Sequence, residues 1–365
     1  MLLENQPGTM RIESLRQVHD WEDIWTLLPW GPRPWEAGID QGLLVLHRLD
    51  ISRGTVPDEE PYLWTSPPAE SATAGLVVKR FNHKLGAFVH NYRSELVEGR
   101  PVFTRGYGAT RWPASDAVVL FGGTDQFGEQ PAALWQGLPV QEGDETVYQW
   151  REVPGPHPAG STGAFLAADE PRNRLVLLFG RAGETSSAEA HAFDVSSQTW
   201  SSLAMPPGDL APLDSAGFSH SDDQLYVYGG RRDQETRGGL YRLDLATLQA
   251  TLLSDSGGPG PRAGAAVYHA GAAGVVYVYG GTDAAGVAQR DLWRFDLRRG
   301  AWSLVSDAQT PGAPPAMAGA SLVVDPVRGA ATLFAGPRQI GGTAEPMWQL
   351  WQGQWSVEHE LLQSE

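Results

Sequence analysis

Tyr226-Val227-Tyr228-Gly229-Gly230 and Tyr277-Val278-Tyr279-Gly280-Gly281 are one five-residue phrase written twice, 51 positions apart. A short aromatic and β-branched run stopped by glycines spells a buried β-strand entering a turn. Three more segments close in a related way: Val118-Val119-Leu120-Phe121-Gly122-Gly123, Leu177-Leu178-Phe179-Gly180-Arg181 and Thr332-Leu333-Phe334-Ala335-Gly336. Counted from the first member of each closing pair, at 122, 180, 229, 280 and 335, the steps are 58, 49, 51 and 55 residues. A recurrence of that length marks a repeat architecture whose units are each too small to bury an apolar face alone.

Ahead of each ending lies a run of small residues: Gly108-Ala109, Thr162-Gly163-Ala164, Ala216-Gly217, Ala263-Gly264-Ala265-Ala266 and Ala318-Gly319-Ala320. Strands that converge on a central axis need such residues, because large side chains would collide there. Turns such as Asp169-Glu170-Pro171-Arg172-Asn173-Arg174 and Asp325-Pro326-Val327-Arg328-Gly329 join the two runs into an antiparallel pair. After each closing pair come a polar loop and a third strand ending in a hydrophobic-Asp step, as in Leu292-Trp293-Arg294-Phe295-Asp296, Leu240-Tyr241-Arg242-Leu243-Asp244 and His191-Ala192-Phe193-Asp194. A fourth strand opens with Trp150, Trp200, Trp302 or Trp355, and with Ala250 in one unit. On this reading the glycine pair leaves room for the outer tryptophan to pack between units.

Glycine pair and spaced tryptophan together, from about Gly106 to Glu358, resemble the kelch repeat in a bacterial-type form. The resemblance implies an all-β fold, a kelch-type β-propeller of seven four-stranded blades forming one domain over 1–365, with blades near 9–66, 67–105, 106–153, 154–203, 204–254, 255–305 and 306–358. The first two are irregular. Val45 to Gly54 with Tyr62-Leu63-Trp64 reads as a third-and-fourth-strand pair, and Thr73 to Val78 with Leu85 to His90 as an inner pair, His90-Asn91 standing where the glycines belong. Within 9–31, Trp21, Ile24, Trp25 and Leu28 also satisfy helical spacing, so six blades with an N-terminal cap is the alternative.

Composition supports short strands and turns, with 43 Gly, 27 Pro and 14 Trp. A net charge of −16 opposes binding to nucleic acid or to anionic membranes. The absence of cysteine excludes disulfides, thiolate metal sites and a cysteine nucleophile. Met1 to Gly8 lacks the basic and apolar regions of a secretory signal, and no apolar run reaches the ~18 residues that span a bilayer. A cytoplasmic location is therefore expected.

In kelch propellers the loops between strands two and three, and those between blades, crowd one mouth of the central channel. The resemblance would place there Arg93, Asp125, Arg181, Glu184, Arg231, Arg232, Glu235, Arg237 and Asp283, with Arg262 at the start of an inner strand. Arg93, Arg181, Arg231, Arg232, Arg237 and Arg262 suit a carboxylate or phosphate, which guanidinium grips bidentately. The alternative reading pairs each with a neighbouring Asp or Glu in a solvated loop. Glu235 is the candidate acid or base, an arrangement similar in kind to that of kelch-family sialic acid mutarotases. His157, in Pro154-Gly155-Pro156-His157-Pro158, joins the ligand-binding candidates, while His220 and His269 at the ends of inner strands read as structural. Galactose oxidase chemistry needs a Cys linked to Tyr, which this chain lacks, and no loop supplies the Glu, Asp and His set of nitrile-specifier iron sites. Neither metal nor cofactor is expected. Trp21, Trp30, Trp35 and Trp112 read as seals between blades. The functional expectation is a binding scaffold that offers its loop face to a protein or an acidic small-molecule ligand. An enzyme acting on a sugar acid is the alternative.

Overall fold

The computed structural model describes residues 107–357 apart from 114, 116, 124–128, 144, 183–184, 187–188, 205–209, 211–212, 214–215, 222, 233–234, 326–329 and 335–346, together with the backbone of 45–48, 59–65, 76–82 and 87–96. The four N-terminal strands are β1 (Val45–Arg48), β2 (Glu59–Thr65), β3 (Leu76–Asn82) and β4 (Ala87–Leu96). Blade I follows with β5 (Gly108–Arg111), β6 (Val118–Phe121), β7 (Leu134–Glu142) and β8 (Glu145–Glu152). Blade II comprises β9 (Phe165–Asp169), β10 (Arg174–Leu178), a small hairpin β11 (Arg181–Ala182) and β12 (Thr185–Ser186), then β13 (Ala190–Asp194) and β14 (Thr199–Leu203). Blade III repeats the plan with β15 (Gly217–Ser221), β16 (Gln224–Tyr228), the hairpin β17 (Arg231–Arg232) and β18 (Glu235–Thr236), β19 (Leu240–Asp244) and β20 (Ala250–Ser254). Blade IV holds β21 (Ala266–Ala270), β22 (Val275–Tyr279), β23 (Leu292–Asp296) and β24 (Ala301–Ser306), and blade V β25 (Ser321–Asp325), β26 (Ala330–Phe334), β27 (Met347–Trp351) and β28 (Gln354–Val357).

Each blade is a four-stranded antiparallel meander, so among the described residues five such blades are on view, in place of the seven or six the repeat spacing led us to expect. β1 to β4 pair in chain order as one antiparallel sheet, and β4 runs parallel to β8, Arg93 opposite Val147 and Leu96 opposite Trp150. The two N-terminal strand pairs expected in separate blades are thus joined through β2 and β3. β1 also lies beside the inner strands of blades I and V. Trp21, Trp30 and Trp35 lie outside the described residues.

Small residues on the inner strands do what convergence requires. A Cβ on Gly217 would sit 2.4 Å from the Ala265 carbonyl oxygen of the next blade, and one on Gly108 2.9 Å from Leu166 Cβ. The glycine pairs, however, have a different partner from the tryptophan foreseen. In the four described pairs the second residue donates its N–H to a carbonyl of the next blade: Gly123 to Ser161, Gly180 to Leu213, Gly230 to Arg262 and Gly281 to Met317, at 2.8–2.9 Å. Both residues of these four pairs have positive φ, which L side chains rarely adopt.

This geometry also moves one repeat by a residue. In blade II the left-handed pair is Phe179 (φ 63) and Gly180 (φ 96), equivalent to Gly229 (φ 63) and Gly230 (φ 105), so Arg181 lies beyond the pair. A phenylalanine is held there because its ring is 3% exposed and stacks on Phe218 at 5.8 Å. Phe179→Gly relieves about 1 kcal/mol of left-handed strain but forfeits burial worth about 3 kcal/mol or more. A net loss of roughly 2 kcal/mol is expected in urea unfolding.

Three of the four outer tryptophans seal their joints by the same kind of hydrogen bond, while Trp150 Nε1 is buried without one. The indole N–H of Trp302 donates to Ser254 Oγ (3.0 Å), that of Trp355 to Ser306 Oγ (2.7 Å) and that of Trp200 to His157 Nδ1 (3.0 Å), each partner standing at or just beyond the end of the preceding blade. Trp112 is 8% exposed and meets Phe193 edge-on across the joint between blades I and II. At the opposite rim, fully buried Asp169 accepts from Arg174 Nε (2.7 Å) and Arg172 Nη1 (2.8 Å), while Arg174 Nη2 reaches the Leu245 carbonyl of blade III. His269 stacks on Tyr226 at 4.1 Å, and burial pushes its imidazole down to about 4, as befits a structural histidine.

Candidate functional site

The hairpins β11–β12 and β17–β18 project from the loops between second and third strands of adjacent blades. Arg237 follows β18 and is fixed by its backbone: its N–H donates to the Gly230 carbonyl (2.8 Å) and its carbonyl accepts from Arg262 N–H (2.9 Å). The guanidinium so anchored is 41% exposed and pairs with Glu235 at 2.8 Å. Together with Arg232 it lines a cleft of about 430 Å³ between blades III and IV, whose apolar walls are Tyr228, Tyr241 and Trp302. That volume lies within the range of small-ligand pockets.

One rim of the cleft is the turn Asp255-Ser256-Gly257-Gly258-Pro259-Gly260-Pro261. Gly258 lies flat on the Trp302 indole, where a Cβ would meet ring atoms at 2.6–2.7 Å. Tyr228 Oη donates to the Gly260 carbonyl at 2.6 Å, and burial pushes that phenol well above its ordinary range, so it remains a proton donor at neutral pH. Two cations over aromatic walls can grip an anionic group while excluding water from part of its surface.

Of the sequence-derived candidates, Arg232 and Arg237 meet in this cleft and the others do not line it. Arg231 is half-buried on β17. Arg181 begins β11, its backbone bridged to Thr162, with Nε buried and lacking a hydrogen-bond partner. Arg262 is engaged internally: 5% exposed, it holds Asp291 through both terminal nitrogens, the Pro259 carbonyl through Nε (2.9 Å) and the Gly280 carbonyl (3.1 Å). The structure thus gives Arg262 to the base of blade IV, because four of its five N–H donors are already engaged there. His157 is engaged in the same sense, Nε2 with the Val153 carbonyl (2.9 Å) and Nδ1 with Trp200. Glu235 is 66% exposed and stands outside the cleft lining. Asp283 turns its Oδ1 onto the backbone N–H groups of Ala285 and Val287. The side chain of Arg93, and Asp125 and Glu184, lie outside the described residues.

Sequence reading missed Trp302 and the 255–261 turn as cleft walls. The Gly-Gly-Pro-Gly-Pro cluster was the available signal, since so many turn formers after an outer strand fix an irregular rim. Among the described residues no group of three or more His, Asp and Glu could hold a metal ion, and no helix is long and apolar enough to cross a membrane.

Residues 106–336 match the family model described as the KLHDC2/KLHL20/DRC7 Kelch-repeats domain. No individually curated protein matches the chain.

Proposed function

Since the chain belongs to the kelch-repeat family, we propose that it is a binding scaffold whose loop face, centred on the cleft between blades III and IV, receives a protein or an acidic ligand. Kelch propellers generally serve as protein-interaction scaffolds, and a rigid ring with variable loops suits binding without a catalytic constellation. The observation that carries the acidic preference is the meeting of Arg232 and Arg237 over aromatic walls in a protein of net charge −16. The sugar-acid enzyme gains no such support, because Glu235 is turned to solvent beside Arg237. The ring is part of the same reading: β1 beside both β5 and β25 supports the N-terminal strands, continuous with blade I through β4 and β8, as the element that bridges blades I and V.

Thermal unfolding with acidic peptides and with anionic sugars tests the cleft. A ligand at about ten times its Kd should stabilise the protein by about 1.4 kcal/mol. Arg237→Ala should abolish that gain while leaving unliganded stability within about 0.5 kcal/mol, since its ion pair with Glu235 is solvated. Stabilisation that persists in Arg237→Ala, or no shift with any of these anions, would remove the cleft from the proposal.

A further inference from the structure

We propose that the joint between blades I and II is an acid-sensitive latch whose moving part is His157. An indole can only donate and a carbonyl can only accept. Trp200 Nε1–H therefore requires a lone pair on His157 Nδ1 (3.0 Å), and the Val153 carbonyl requires the proton on Nε2 (2.9 Å). Both partners are satisfied by one neutral tautomer and by no other state of the ring. A second proton on Nδ1 sets two donors face to face, so the imidazolium must leave Trp200.

The same indole bond at the joints sealed by Trp302 and Trp355 ends on Ser254 and Ser306. A hydroxyl accepts at any physiological pH, whereas histidine is the side chain that ordinarily changes charge between about pH 5 and 8. Release would travel along the chain: the 154–160 linker that His157 anchors leads to Ser161, whose carbonyl takes the Gly123 N–H of blade I at 2.8 Å.

The ring of His157 lies near Phe121 of β6 and Trp200 of β14. Charged and titratable groups on the surrounding elements are Arg151 and Glu152 at the exposed end of β8, Arg151 bonding Gln136. His191 of β13 stands edge-on to Trp200, 6.4 Å between centroids, its Nε2 3.1 Å from Glu189. His191 is therefore the rival histidine beside Trp200 and must be tested with His157.

The experiment follows indole N–H protection in the whole protein labelled with ¹⁵N-tryptophan, signals being assigned by Trp→Phe variants and exchange rates corrected for the intrinsic effect of pH. On acidification from neutral pH, protection at Trp200 should fall about tenfold or more while Trp302 and Trp355 stay within about twofold. His157→Ser, which copies the other joints, should make Trp200 behave like them, and His191→Asn should leave the wild-type response. Equal behaviour of the three indoles in the wild-type protein would overturn the latch without any variant. So would a Trp200 response that survives His157→Ser, or one that disappears only in His191→Asn.

Discussion

Gly229→Ala is expected to cost about 3 kcal/mol or more, whereas Gly257→Ala, 28 residues on in the same region, should cost about 1 kcal/mol. Both positions have positive φ, 63° and 75°, so both substitutions carry the left-handed penalty. They differ in space. A Cβ at 229 would lie 2.1 Å from the Arg262 carbonyl oxygen of the next blade, while one at 257 meets nothing within 4 Å. Accommodating the methyl means separating two backbones that also share the Gly230 N–H to Arg262 bond, with its burial. Urea unfolding of the two variants, read as midpoint shifts at constant m, separates strain from steric conflict. Equal losses would show that the glycine pair is retained for φ alone.

Arg262→Ala should lower stability by about 3 kcal/mol, by stranding Asp291 at the base of blade IV. Arg262 is 5% and Asp291 20% exposed, so water cannot replace the lost partner cheaply. Burial alone would push the Asp291 carboxyl up, but hydrogen bonds from Arg262 and from the Trp293 indole (2.6 Å) hold it below the usual carboxylate range. A carboxyl whose folded pKa is depressed contributes stability above its unfolded value, about 3.9, and loses it as pH falls through the folded one. The wild-type protein should therefore lose this share of stability below about pH 4, and the loss should be smaller in Arg262→Ala. In a double-mutant cycle with Asp291→Ala, the combined loss should fall short of the summed single losses by about 1 kcal/mol or more. Additive losses would mean that the pair is not coupled.

These two residues show where sequence reading succeeds and where it stops. Strand ends were legible because each is written locally: β19 and β23 end on Asp244 and Asp296, as the hydrophobic-Asp step implied. The reason is equally local. Oδ1 of Asp244 takes the Thr247 N–H (2.9 Å), and that of Asp296 takes the Arg298 and Arg299 N–H groups, turning the chain into the outer strand. Phe179 was misaligned because φ is not written in the residue letter, and a ring buried against Phe218 outweighs the glycine preference.

What the sequence determined by itself is the repeating sheet: alternation, glycine stops, small inner residues and spaced tryptophans act within one unit or between units of identical pattern. What only the tertiary structure decided is the fate of the arginines. Arg262 and Arg237 are 25 residues apart and chemically alike, yet one is held by Asp291 and two carbonyls while the other opens onto a cleft walled by Trp302. A guanidinium's role is set by the acceptors that the fold brings within ~3 Å: folding of blade IV carries Asp291, 29 residues on, back to Arg262, while the wall facing Arg237 comes from Trp302 of the next blade.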